Sequence, residues 1–86
     1  MSVWATANSG EVYINISGDV FAEHLDALEQ NLLKHILYGY RRIVVNINGI
    51  KHLDGKGIQV FQYVRQKMLG HGGELIIEDD LGKLAL

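Results

Sequence analysis

The sequence predicts an α/β fold: a two-layer sandwich with a mixed, mostly parallel four-stranded sheet and its helices on one face. Three observations predict it. First, strand-like and helix-like periodicities follow one another in the order β-β-α-β-α-β along 86 residues. Strand, helix and strand in succession imply parallel neighbours joined by right-handed crossovers. Second, the strands are not continuous apolar runs. Asn15, Asn46, Asn48, Glu74 and Glu78 interrupt them, whereas strands covered on both faces read as unbroken Val/Ile/Leu. One face of the sheet is therefore expected to be at least partly wet, carrying Trp4, Tyr13, Val44 and Ile76. Third, the length suits one domain, residues 1–86.

Each element has its own signal. Trp4–Ala7 reads as a weak first strand, and Asn8-Ser9-Gly10 as a turn. Glu11–Ile16 alternates, with Val12, Ile14 and Ile16 on one side and Tyr13 and Asn15 on the other. Two strands joined by a short polar turn form a hairpin. Ser17-Gly18-Asp19 is expected to end the second strand, with Asp19 as N-cap of the first helix. From Val20 to about Tyr38, Phe21, Leu25, Leu28, Leu32 and Ile36 recur at three- and four-residue spacing, an amphipathic helix that Gly39 stops. Ile43–Ile47 alternates again. Asp54-Gly55-Lys56-Gly57 opens a second helix whose apolar stripe is Ile58, Phe61, Val64 and Met68, and which Gly70 and Gly72-Gly73 end. Leu75 and Ile77 mark a fourth strand. Leu81–Leu86 is expected to start a third helix.

Composition excludes several classes of function. No cysteine is present, so disulfides and thiolate metal sites are excluded. Eight basic against ten acidic residues give a net charge of −2, which offers nucleic acid no attractive field. No apolar run approaches the roughly 20 residues needed to span a bilayer. Met1–Gly10 lacks a basic region followed by an apolar stretch, so no signal peptide is expected. A cytoplasmic protein without membrane insertion is the resulting expectation.

Sites for chemistry fare no better. Asp-Gly-Lys-Gly at 54–57 lacks the five-residue-earlier glycine and the following hydroxyl of a phosphate-binding loop. Read as a calcium loop, it places Phe61 where a glutamate is required. His24, His35, His52 and His71 have no ligand spacing and are expected to be solvated or capping. Asp79-Asp80 is expected to cap a helix, and Ser17 has no evident base. No cofactor and no catalytic residue is expected.

Three stretches resemble the STAS family, the sulphate transporter and anti-sigma-factor antagonist domains. They are Ile16-Ser17-Gly18-Asp19, Arg42 through Asp54 (RIVVNINGIKHLD), and Gly70-His71-Gly72-Gly73-Glu74-Leu75-Ile76-Ile77. The likeness runs from about Val3 to Leu86. It implies a non-catalytic bacterial interaction domain whose protein partner is an anti-sigma factor that is also a serine kinase. The family's docking surface surrounds the start of the second helix and the turn after the second strand. On this chain that implies Asp19, Asp54, Gly55, Lys56, Gly57 and Gln59.

Two departures matter. The family's phosphorylated Ser/Thr directly follows the strand-ending Asp, and here that position is Gly55. The next position, often Ser, is Lys56, while the family's following glycine is kept as Gly57. Phosphorylation would add roughly two negative charges; this chain carries a fixed positive one instead. The family also commonly continues through a further helix, whereas this stretch stops at Leu86. The alternatives implied are an accessory subunit of a scaffold or transport complex and a homodimer through the open sheet face. A small-molecule or nucleotide sensor is a lesser one.

Overall fold

A computed structural model describes residues 1–84. Its strands are β1 (Ser2–Ala7), β2 (Glu11–Val20), β3 (Arg42–Leu53) and β4 (Glu74–Glu78); its helices are α1 (Leu25–Leu37), preceded by a single 3-10 turn at Ala22–His24, and α2 (Gly55–Gly70). The sheet order is β1-β2-β3-β4. β1 and β2 pair antiparallel, and β2, β3 and β4 run parallel. The expected mixed, mostly parallel sheet is observed.

The period-2 pattern sets the two faces. Val12, Ile14 and Ile16 of β2, Ile43, Val45 and Ile47 of β3 and Leu75 of β4 point under the helices and are buried. They meet Leu28, Leu32 and Ile36 of α1 and Phe61, Val64 and Met68 of α2. Burying a side chain of this kind stabilises by about 1.5–3 kcal/mol. The turn after α1 is made by Gly39, whose φ of +86° suits only glycine well and whose N–H closes the helix on the Ile36 carbonyl at 3.0 Å.

The outer face is arranged in cross-strand rows. Arg42 bridges Glu11 and Glu74, each at 3.5 Å. Next come Tyr13, Val44 and Ile76, and then Asn15, Asn46 and Glu78. Tyr13 hydroxyl donates to the Glu78 carboxylate across β3, and Asn46 Nδ2 donates to the same oxygen at 3.3 Å. Of the four residues expected on this face, Val44 is buried beneath its neighbours, and Tyr13 and Ile76 are half-buried. Val44 lies on it yet is only 5% exposed, and Trp4, 53% exposed, stands at its margin.

Three expectations are corrected: a strand end, a helix cap and a third helix. Ser17-Gly18-Asp19 does not end β2, which runs on to Val20. β3 bulges twice against it: from Asn15 to Ser17 its partner advances from Asn46 to Gly49, and from Gly18 to Asp19 it advances from Ile50 to His52. The bulges keep the two strands paired to Val20 and Leu53. Asp19 therefore lies inside a strand and is not a helix N-cap. Lastly, Leu81–Leu84 forms turns, not helix. Asp79 carboxylate accepts from Lys83 and Leu84 N–H at 2.9 Å, so it caps a turn. Lys83 Nζ donates to the carbonyls of Ile47 and Asn48. Ala85 and Leu86 of the expected third helix lie outside the described residues.

Candidate functional site

The C-terminal ends of β2 and β3 and the start of α2 lie together. Asp19 pairs in register with His52, and Val20 with Leu53. Asp54 follows at once, with extended backbone at φ −92°, and its Oδ1 accepts the Gly57 N–H at 3.0 Å. It is the N-cap the sequence predicts. Its carboxylate satisfies one of the free amides of the first turn and favours the positive end of the helix dipole.

The residues after Asp54 divide by environment. Gly55, Lys56 and Gln59 are exposed. Gln59 stands four residues after Gly55 and three after Lys56, so all three share one side of α2. A Cβ built at Gly55 would meet nothing within 4 Å. The Gly55 backbone is also outside the left-handed region. Packing therefore does not demand glycine there. Gly57 is the opposite case: it is buried, and a Cβ would collide with Leu53 Cδ1. Gly57 lets the helix approach β3 closely and offers no side chain to the surface. Among the described residues neither Lys56 nor Asp19 has an ion-pair partner.

Sequence reasoning missed Phe21 and its neighbours. Phe21 was expected on the buried stripe of the first helix; it is 48% exposed instead. The cause is the extra length of β2, which moves the helix start beyond it. Phe21 stands between two imidazoles, with ring centroids 5.8 Å from His24 and 6.4 Å from His52. Its backbone N–H donates to His24 Nδ1 at 3.1 Å. His24 is thus a capping histidine, His52 and His71 are exposed, and His35 is buried with Nδ1 2.7 Å from the Asn31 carbonyl oxygen. One signal was available: His24 follows Phe21 by three residues, the spacing of a capping box.

One concave surface lies at the other end of α2. A depression of about 400 Å³ is lined by Tyr63, Gln66, Lys67, Gly70 and His71, in the C-terminal half of α2.

The family model described as the STAS domain matches residues 3–79. The chain belongs to the STAS domain family. No curated protein matches it in sequence. Solved structures match it in fold. The STAS domain of an antisigma-factor antagonist from Rhodobacter sphaeroides superposes with a TM-score of 0.78 at 15% identity, covering 90% of this chain and 84% of that one. The unphosphorylated anti-sigma factor antagonist SpoIIAA superposes with a TM-score of 0.75 at 14% identity, covering 88% of this chain and 71% of that one. Mglu superposes with a TM-score of 0.80 at 17% identity; this STAS domain covers 91% of its own length there and 19% of the Mglu chain. It thus spans about a fifth of Mglu. At these identities the matches speak for the fold. No helix among the described residues is long and apolar enough to cross a membrane.

Proposed function

We propose that this STAS domain is a non-catalytic, cytoplasmic interaction module of the anti-sigma-factor antagonist kind, docking a protein partner through Asp19, Asp54, Gly55, Lys56 and Gln59, with Gly57 setting the height of the helix beneath them. One observation carries the reading. The family's phosphoacceptor position is Gly55, which is exposed and has room for a side chain. The hydroxyl is missing from a place where packing would accept it. A docking surface without the phosphorylation switch binds constitutively. Lys56 adds a fixed positive charge beside it, placed against the helix dipole. An unfavourable choice of this sort at an exposed helix start points to recognition.

The partner is a protein with an acidic patch opposite Lys56, and the anti-sigma serine kinases are the first candidates. The test is affinity capture from native lysate with wild type beside Lys56→Glu, read by mass spectrometry. A kinase of that type recovered by wild type and lost with the variant is the expected result. Equal recovery by both would place docking elsewhere. A transport or scaffold complex in its place would leave the fold and remove the sigma-factor reading.

A homodimer through the outer sheet face is the second reading, supported by exposed Trp4. The polar cover over Val44 leaves little contiguous apolar area for it. Size-exclusion chromatography with light scattering decides: a monomer at micromolar concentration removes this reading.

A further inference from the structure

We propose that the turn from β2 into α1 is a titratable cap, in which neutral His24 holds Phe21 in place as an apolar anchor and protonation of His24 releases it. The anchoring role rests on the docking surface proposed above; the cap does not.

The geometry is half of a capping box. In the usual box a Glu or Gln at the third helical position reaches back to the N–H of the N-cap residue, and the N-cap side chain bonds forward in return. Here Phe21 is the N-cap, with extended backbone at φ −91° and ψ 166°. It has no side-chain acceptor, and the His24 N–H bonds to the Phe21 carbonyl at 2.9 Å. The backward bond is made by His24 in place of a Glu or Gln, Nδ1 accepting from the Phe21 N–H at 3.1 Å. Replacing a carboxylate or amide by an imidazole makes this bond depend on protonation.

An acceptor Nδ1 requires the neutral ring with its proton on Nε2. The imidazolium has donors at both nitrogens and no acceptor. Protonation therefore sets two N–H groups against each other and removes the bond. Histidine is the side chain that changes charge across the physiological range. The charges around the ring pull both ways. Glu23 Oε1 lies 3.8 Å from Nε2 but is largely exposed, and Asp26 follows in the first turn of α1. Opposing them are the positive end of α1 and, beyond Phe21, His52, which Asp19 faces in the sheet register. Asp54 and Lys56 follow His52 along the chain.

The consequence falls on Phe21. Its ring is half exposed at the ends of β2 and β3, beside the start of α2, and fixed by one backbone bond and two flanking imidazoles. Aromatic side chains held rigid on a surface act as anchors for an apolar pocket on a partner protein. With the cap bond lost, Phe21 is no longer presented in one orientation.

The free protein tests the cap by NMR, following the Phe21 backbone amide and the ring signals of all four histidines from about pH 8 to pH 5. These limits bracket the histidine range. The Phe21 amide is expected to move with the midpoint of His24, and its protection from hydrogen exchange, taken relative to the intrinsic rate at each pH, to fall by roughly tenfold on protonation, as for loss of one hydrogen bond. In His24→Gln, whose Oε1 accepts without titrating, the amide should be insensitive to pH. An amide that ignores His24, follows His52 instead, or stays protected in His24→Ala overturns the cap. So does a high-pH tautomer with the proton on Nδ1. The anchor is tested in the capture experiment with Phe21→Ala. Equal recovery overturns it and leaves the cap standing. No recovery by wild type overturns the docking reading and the anchor with it, again without touching the cap.

Discussion

The two helices of this STAS domain begin in different ways. α2 begins at Asp54, whose carboxylate accepts the Gly57 N–H directly after a strand. α1 begins after Asp19, Val20 and Phe21, with no carboxylate cap; a histidine three residues on holds the Phe21 N–H instead. Both starts have an Asp near the strand end, so local chemistry alone would treat them alike. The difference is long-range. Two bulges in β3 keep β2 in register to Val20, and strand pairing outweighs the capping preference of Asp19. A cap residue caps only where tertiary pairing lets the strand end.

The largest expected effect breaks the α2 start from beneath. Gly57→Val forces atoms into the space of Leu53 and should destabilise by about 1–3 kcal/mol, measured by urea unfolding. A variant as stable as wild type would mean that the half-buried Leu53 side chain turns aside at little cost. Next comes the comparison itself. Asp54→Ala should cost about 0.5–2 kcal/mol through loss of the cap. Asp19→Ala, which removes no side-chain hydrogen bond or ion pair among the described residues, should stay within about 0.5 kcal/mol. Equal losses would mean that Asp19 caps after all.

Much of this contrast could be read without coordinates, and the rest has a physical reason for being hidden. Alternation at Val12-Ile14-Ile16 and Ile43-Val45-Ile47, and the stripe Phe61-Val64-Met68, report which side meets the core, so the strands, α2 and its Asp54 cap were legible. The start of α1 was not, because bulges depend on the pairing of β2 with β3, about thirty residues apart. Phe21 fits a helical stripe by spacing and is placed outside by that pairing. The same holds on the outer face, where Tyr13 and Glu78 meet across β3 and cover Val44. Leu81–Leu84 carries helix-forming apolar residues, but Asp79 and Lys83 spend their polar groups on a turn and on β3. In the proposed docking surface, Asp54, Lys56 and Gln59 are placed by family likeness alone. The burial of Gly57 was not legible, since a missing side chain gives no periodic signal.

Two smaller effects sharpen the contrast within α2. Gly55→Ala should stabilise by about 0.4–1 kcal/mol, because the site is open, its backbone suits any residue, and the unfolded chain loses freedom. Thermal unfolding reads the sign; a loss would show that the Gly55 backbone is constrained. Gly55 and Gly57, two positions apart, should thus respond in opposite directions.

Lys56→Glu is expected to have the smallest effect on stability and a large one on binding. The site is exposed, and an acidic side chain in a first turn favours the helix dipole by about 0.3–1 kcal/mol, nearer the low end in salt. The variant should therefore unfold no earlier than wild type while capturing less partner. A variant that loses both stability and capture would place the effect in folding, and one that gains stability and keeps capture would free Lys56 of any role in docking. Only the divergence of the two readouts ties the fixed positive charge, where the family often carries a hydroxyl, to recognition at the start of α2.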